Sequence, residues 1–205
     1  MTERSPRSAA SGWDSAYRGG PPPWDIGRPQ AAFLRLADGA FTSPVLDCGC
    51  GTGEHALMLA ERGFEATGVD LAATAIRLAR QKAERRGLSV DLRVGDALDL
   101  AALGQTFASV VDSGVFHTFS DELRPVYVAS LADVVRPGGT LHLLSFSELT
   151  PGDAGPRRVT QAELREAFCD GWSVEEITAE RFEVTYGSPV DRPHAWLARI
   201  VRTSS

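Results

Sequence analysis

The sequence has no long apolar run, little cysteine and no excess of basic charge. Its 205 residues include only three cysteines, Cys48, Cys50 and Cys169, too few for a disulfide framework. No apolar run reaches the length of a membrane span, and residues 1–12 lack the apolar segment of an export signal. The net charge of −6 provides no overall basic field for nucleic acid. We therefore expect a cytoplasmic protein that binds a small molecule and neither nucleic acid nor a membrane.

The composition is that of one globular domain, with 43% hydrophobic and 23% charged residues. We expect residues 1–12 to be a disordered tail and residues 13–205 to form one domain, in which residues 13–42 make an N-terminal arm or lid. Strand and helix patterns alternate from residue 45 and end in a terminal strand pair, which predicts a doubly wound α/β fold. The sequence leaves open whether the protein is a monomer or a homodimer.

A glycine-rich stretch follows the first predicted strand, residues 45–48, and precedes a predicted helix. A strand, a glycine turn and a helix in this order let a nucleotide-like ligand contact the backbone. A dinucleotide fingerprint, G-x-G-x-x-G, would need a glycine at position 54, where this chain has Glu54. The residues present read D-x-G-x-G-x-G, from Asp47 through Gly49 and Gly51 to Gly53. This pattern resembles the first motif of the class I S-adenosylmethionine (SAM) dependent methyltransferases.

The N-terminal arm extends the resemblance. Trp13, Tyr17, Trp24 and residues 25–30, Asp-Ile-Gly-Arg-Pro-Gln, are similar to the stretch that covers SAM in thiopurine and heterocyclic-toxin methyltransferases. An aromatic ring face can also stabilise a sulfonium cation. The resemblance implies a Rossmann-like, doubly wound, seven-stranded and mostly parallel sheet with an antiparallel terminal strand and helices on both faces.

The resemblance also implies a set of SAM-binding residues, with S-adenosylhomocysteine as the product. Asp47 would hold the methionine end of the cofactor, and the three glycines would admit its close approach to the backbone. Asp70 ends the second predicted strand, at the right spacing for a carboxylate that binds ribose hydroxyls. The remaining cofactor-binding candidates are Leu71, the adenine-binding pair Asp96 and Ala97, Asp112, Ser113 and the three aromatic residues of the arm.

His117 is the candidate catalytic residue. Methyl transfer from a sulfonium requires mainly that donor and acceptor be aligned. A thiol acceptor needs little more, whereas a phenol gains from a general base. His117 follows the fourth predicted strand, where ligands bind in such sheets, and its ordinary pKa suits a base. The alternative is a histidine that packs below Phe119 or caps the next helix.

Two metal sites are alternatives to these assignments. Cys48, Cys50 and His55 could form part of a zinc site, and Asp112 could bind Mg²⁺, but the further ligands that such sites need do not follow in the sequence. We therefore expect no metal.

The predicted function is methyl transfer to an O, S or N atom of a small phenol, thiol or heterocycle. The chain lacks the [N/D]-P-P-[Y/F] signature of nucleic-acid amino methyltransferases. The alternatives are a nicotinamide-dependent Rossmann oxidoreductase and a SAM-binding protein without catalysis.

Overall fold

Seven strands form the centre of the molecule. The computed structural model describes residues 6–152, 155–186 and 192–203. The strands are β1 (Val45–Cys48), β2 (Ala66–Asp70), β3 (Asp91–Val94), β4 (Phe107–Ser113), β5 (Val135–Phe146), β6 (Trp172–Arg181) and β7 (His194–Arg202). They make one sheet in the order β3-β2-β1-β4-β5-β7-β6.

Among the described residues, six α-helices surround the sheet: α1 (Pro6–Arg18), α2 (Ala31–Leu36), α3 (Glu54–Glu61), α4 (Ala73–Arg86), α5 (Arg124–Val134) and α6 (Gln161–Ala167). The sequence predicts a helix over residues 72–86 with Gly87 as its end; α4 starts one residue later, and Gly87, with a φ of 64°, ends it. The sequence also predicts a capping box of Thr160 and Glu163, which the structure has at the start of α6. Within the described ranges, none of the helices has the length and apolar character that crossing a membrane requires.

The strand pairing confirms the predicted fold class. β1 pairs in parallel with both β2 and β4, whereas β7 is antiparallel to both β5 and β6. The chain leaves β1 on one side toward β2 and returns on the other side as β4. The strand order therefore reverses between β1 and β4, and a ligand crevice is expected outside their carboxyl ends.

The core covers both faces of the sheet. Along β5, Leu141 and Leu143 pack in one apolar cluster with Tyr127 of α5, whereas Leu144 and Phe146 pack in a second cluster. Successive side chains of a strand point to opposite faces, so this division places buried apolar side chains on each side. The sheet is thereby fixed in position, and its carboxyl edge provides a rigid base for a site.

Local structure differs from the sequence expectation at two places. α1 begins at Pro6, within residues 1–12, where the sequence predicts a disordered tail; residues 1–5 lie outside the described ranges. The sequence Arg-Pro-Gly-Gly at residues 136–139 predicts a turn before the fifth strand, but these residues belong to β5. Val135 pairs with Phe107 and Thr140 with Ser109, so the residues between bulge from the ladder. A turn-like sequence is compatible with a strand where it bulges in this way.

Candidate active site

A cavity of about 750 Å³ opens beyond the carboxyl ends of β1, β2 and β4. Its walls are the glycine turn after β1, the ends of the neighbouring strands, the N-terminal arm and the segment after β6. Its volume falls in the upper part of the range for small-molecule sites, roughly 300–1,000 Å³. The cavity lies where the strand order predicts a ligand crevice.

The glycine turn presents bare backbone to this cavity. Gly49 and Gly51 both line it and have positive φ values of 66° and 53°. A Cβ atom on Gly49 would lie 2.2 Å from Cγ2 of Val115, and one on Gly51 would lie 2.9 Å from the Tyr17 hydroxyl. Backbone conformation and space both require glycine at these positions.

Gly53 has different surroundings from the other two glycines. It precedes α3 with a φ of 87°, and a Cβ atom there would lie 2.9 Å from Cβ of Ala79 on α4. Gly53 is not among the residues that line the cavity. It allows the close packing of α4 against the turn, and its contact with the cofactor stays a prediction.

Asp70 joins the end of β2 to the glycine turn. One of its carboxylate oxygens accepts a hydrogen bond from the Gly51 amide, and the other from the Ala72 amide, each at 2.8 Å. Burial raises the pKa of Asp70. Each carboxylate oxygen has a second lone pair, and Asp70 and Leu71 both line the cavity. The carboxylate is thus held in place and can still accept hydrogen bonds from a ribose.

Asp47 has a buried oxygen without a partner. Its Oδ2 accepts a hydrogen bond from the Ala56 amide at 3.0 Å, whereas its Oδ1 has none from the described residues. Burial, together with the charges of Asp70 and Asp112, raises the pKa of Asp47 to about 8. Asp47 lies beneath the turn and not on the cavity wall. An uncompensated carboxyl at this position fits a ligand that brings positive charge to the turn.

Asp96 and Ala97 line the cavity beyond β3. Oδ1 of Asp96 accepts a hydrogen bond from the Leu98 amide at 2.9 Å and so holds the local turn. Its other oxygen has no hydrogen-bond partner among the described residues, which leaves an acceptor for an adenine amino group.

The aromatic residues of the arm cover the glycine turn. Trp13, Tyr17 and Trp24 all line the cavity. The Trp24 indole donates a hydrogen bond of 3.0 Å to the Tyr17 hydroxyl, and the Trp13 and Trp24 rings meet edge to face at 5.7 Å. The arm is tethered by Asp14, which accepts from the Thr74 amide at 2.7 Å. The structure thus brings the three predicted lid residues together.

Asp112 holds the turn after β4. It is fully buried, and its oxygens accept hydrogen bonds from the Val115 amide at 2.7 Å, the Phe116 amide at 3.1 Å and the Tyr127 hydroxyl at 2.9 Å. It does not line the cavity, although Ser113 does. Its part in cofactor binding stays a prediction from the sequence.

That turn carries His117 into the cavity wall. His117 is buried, and its Nδ1 accepts a hydrogen bond of 3.0 Å from the Phe146 amide. Its ring lies 5.1 Å from the Phe146 ring and 5.8 Å from the Phe182 ring. Burial, together with the charges of Arg124 and Arg158, lowers the pKa of His117 to about 3.

Several site residues were not singled out from the sequence. Phe146 and Phe182 line the cavity around His117, and Arg28, Gln30 and Glu183 join the arm to the segment after β6. The similarity of residues 25–30 to a cofactor-covering stretch was the available signal for the arm. Nothing in the sequence around Phe182 or Glu183 marks them, because their partners are distant in the chain.

The described residues do not form a set of metal ligands around Cys48, Cys50 and His55. Cys48 and Cys50 are buried, and burial raises the pKa of both thiols. His55 instead accepts a hydrogen bond of 3.2 Å from the Gln30 amide. In the part of the chain that the structure describes, no three or more His, Cys, Asp or Glu side chains are grouped to hold a metal ion.

The residue at position 54 does not fit a dinucleotide. Glu54 begins α3, and its carboxylate pairs with Lys82 at 2.7 Å and with Arg86 at 2.9 Å. In dinucleotide sites the pyrophosphate binds at the N-terminus of this helix. Here the Glu54 side chain takes the place of the third glycine of such a site. The nicotinamide alternative therefore lacks its phosphate site.

Comparisons with known proteins identify the family. A family profile described as a methyltransferase domain matches residues 45–139. The 2-heptyl-1-hydroxyquinolin-4(1H)-one methyltransferase of Mycobacteroides abscessus is 38% identical over 180 residues, which cover 82% of this chain and 79% of that protein. A solved structure concerning the conversion of a disulfide bond into a thioacetal group during echinomycin biosynthesis is 37% identical, with a TM-score of 0.84 and coverage of 95% and 93% of the two chains.

A more distant structure shares the fold. The Burkholderia thailandensis 1,6-didemethyltoxoflavin-N1-methyltransferase, solved with 1,6-didemethyltoxoflavin and S-adenosylhomocysteine, has a TM-score of 0.74 at 22% identity and covers 100% of this chain and 92% of its own. The predicted family, fold and cofactor are confirmed. The chain belongs to the class I SAM-dependent methyltransferases.

Proposed function

We propose that this methyltransferase transfers the methyl group to an O, S or N atom on a small, planar aromatic acceptor. The observation that carries the proposal is an aromatic cluster in the cavity, made by His117, Phe146 and Phe182. Their ring centroids lie 5.0 to 5.8 Å apart. Phe146 and Phe182 are 3% exposed, so the cluster is a packed wall and not a set of mobile side chains.

The cavity offers separate regions to the cofactor and the acceptor. Gly49, Gly51, Asp70 and Asp96 surround the region at the ends of β1, β2 and β3, and fit SAM by the contacts described above. The aromatic cluster is formed by the turn after β4, the end of β5 and the segment after β6. Aromatic walls favour an aromatic ligand, because stacked or edge-to-face rings bury area and gain about 0.5–1.5 kcal/mol each.

The protein's contribution to the reaction is alignment. When bound, SAM supplies an activated methyl group on a sulfonium. Asp70 and the glycine turn fix SAM, and the aromatic cluster orients the acceptor. The arm with Trp13 and Trp24 keeps water from the reacting atoms. Positioning of this kind can correspond to effective molarities of roughly 10⁵–10⁸ M.

Among phenols, thiols and heterocycles, a heteroaromatic hydroxyl is the acceptor that we favour. The Mycobacteroides abscessus relative is named for such a compound, a hydroxyquinolinone. The aromatic cluster of this chain supports a fused ring of the same shape.

Transfer of a labelled methyl group from SAM tests this proposal. The panel should contain N-hydroxyquinolones, quinolinols, simple phenols, aromatic thiols and aliphatic thiols of matched acidity. We expect label in the planar aromatic compounds and little in the aliphatic ones. An Asp70→Ala enzyme, which weakens SAM binding, controls for transfer that does not use this site. Equal labelling of aliphatic and aromatic acceptors would contradict the proposal.

A further inference from the structure

The hydrogen bond to Nδ1 fixes the protonation state of His117. A backbone amide can only donate, so the Phe146 N–H at 3.0 Å requires a lone pair on Nδ1. A neutral imidazole carries its one proton on the other nitrogen. The ring of His117 is therefore the tautomer with a proton on Nε2.

Nε2 points toward Gly114, a residue that lines the cavity. It is 3.1 Å from the position of a Cβ atom on Gly114, a residue with a φ of 86°, and Cζ of Phe182 is equally close to that position. Because Gly114 has no side chain, it does not cover Nε2 of His117. None of the described residues accepts a hydrogen bond from Nε2, although His117 is only 6% exposed. The structure holds an unused N–H donor in the wall of the acceptor region.

The charges around His117 keep the ring neutral. Arg124 and Arg158 both act on it, and no carboxylate opposes them in setting its pKa. Arg124 is itself buried over the Phe116 ring and pairs with Glu163 at 3.2 Å. Asp112, on the same turn, directs its oxygens to backbone amides and to Tyr127. A proton taken from an acceptor would make His117 a cation beside two arginines.

We infer that His117 binds the acceptor as a neutral hydrogen-bond donor, through Nε2–H, and that the acceptor is an acidic aromatic hydroxyl that reacts as its oxyanion. This inference rests on the proposed function. It names the acceptor class: hydroxylated heteroaromatics acidic enough to ionise near neutral pH. The donor stabilises the anion and lowers its pKa in the site. The oxyanion uses its own electron pair to form the O–CH₃ bond as the S–CH₃ bond breaks. The electrons of the broken bond stay on sulfur, and no proton is transferred.

This role replaces the general base predicted from the sequence. A base at Nε2 needs a lone pair there and hence a proton on Nδ1. That tautomer would place an N–H against the Phe146 N–H and lose the hydrogen bond that holds the ring. The geometry of His117 thus suits donation and opposes proton abstraction.

The pH dependence of turnover distinguishes the two roles. For a series of hydroxyl acceptors of graded acidity, we expect the midpoint of kcat/KM against pH to follow the pKa of each acceptor. His117→Phe keeps a planar ring without a donor and should lose about 10- to 100-fold in kcat/KM, mainly through KM, with the same pH midpoints. His117→Gln restores a donor and should recover part of the loss. A midpoint that is the same for every acceptor and vanishes in His117→Phe would overturn the inference.

A second measurement does not depend on activity. ¹H–¹⁵N NMR correlations of the imidazole report which ring nitrogen carries the proton. We expect Nε2–H in the free protein across pH 5–8, and an Nδ1–H tautomer or a cation would overturn the inference. If SAM binds but no aromatic acceptor is methylated, the proposed function fails, while the NMR result still decides the state of His117.

Discussion

The side-chain amide of Gln30 pairs with the backbone of Glu183 as one strand pairs with another. Nε2 of Gln30 donates to the Glu183 carbonyl at 2.9 Å, and its Oε1 accepts from the Glu183 amide at 2.8 Å. Arg28 adds two hydrogen bonds of 2.8 and 2.9 Å to the Glu183 carboxylate, which lower the pKa of that group. The N-terminal arm and the segment after β6 therefore form one continuous wall of the cavity.

Replacing Gln30 by alanine should loosen this wall. The substitution leaves the buried amide and carbonyl of Glu183 without partners, at a cost of about 1–3 kcal/mol for each group that stays unsatisfied. We expect a lower free energy of unfolding in urea and weaker SAM binding by calorimetry. Gln81→Ala, at an exposed position of α4, is the matched control. Equal stability of the two variants would show that the pairing contributes nothing.

Asp70→Ala should weaken SAM binding by about 1–3 kcal/mol, the scale of hydrogen bonds to a charged group. The loss has two sources, the ribose contacts and the hydrogen bond that holds the Gly51 amide. Calorimetric titration with S-adenosylhomocysteine measures it. Asp91→Ala, at the exposed start of β3, should bind normally. Wild-type affinity in Asp70→Ala would remove Asp70 from the cofactor site.

Asp47→Asn should change the pH dependence of stability. The pKa of Asp47 is about 8 in the folded protein against an ordinary 3.8. Between these values the unfolded chain ionises while the folded one keeps its proton, so the wild type loses stability as the pH rises, by at most about 1.4 kcal/mol per pH unit. Asparagine cannot ionise. Urea unfolding should therefore show the free energy of unfolding of Asp47→Asn rising relative to that of the wild type from pH 4 to 8. Above pH 8 the difference should stay constant.

Cofactor binding should also release a proton from Asp47. The ammonium of the methionine end favours the ionised carboxylate, so binding at pH 7 should drive the proton off. Calorimetry in two buffers with different heats of ionisation measures that release. We expect it in the wild type and not in Asp47→Asn. Equal proton release from both would contradict the assignment of Asp47.

Gly53→Ala should destabilise the fold more than Gly63→Ala. The φ values of the two glycines are similar, 87° and 83°, so both alanines pay the same left-handed strain of about 1–2 kcal/mol. Only the Cβ at position 53 would meet a neighbour, Ala79, whereas position 63 has none within 4 Å. The difference between the variants in urea unfolding isolates the packing of α4. No difference would mean that Gly53 is needed for backbone conformation alone.

The sequence predicts the bounds of strands and helices best where the local residue pattern agrees with the burial of side chains in the core. The bounds of β1 are the same in prediction and structure, because an apolar run there ends at a glycine turn. The prediction of α4 is one residue too long at its start, and Gly87 ends the helix as expected. Residues 136–139 were misassigned because the same composition suits a turn and a bulge. Only the pairing of β5 with β4 shows that these residues form a bulge.

The roles of individual site residues were harder to predict. Gly53 and Asp112 belong to recognisable patterns, but their contacts are with Ala79 and Tyr127, which the motif does not specify. His117 was placed correctly at the mouth of β4. Its tautomer depends on the Phe146 amide, on another strand, and so could not be inferred from the sequence.

The structure of a ternary complex with S-adenosylhomocysteine and an N-hydroxyquinolone tests the account most directly. We expect the nucleoside at the glycine turn with its ribose on Asp70, the quinolone ring against Phe146 and Phe182, and its oxygen within hydrogen-bond distance of Nε2 of His117. An acceptor bound away from the aromatic cluster, or a His117 ring turned to present Nδ1, would contradict it.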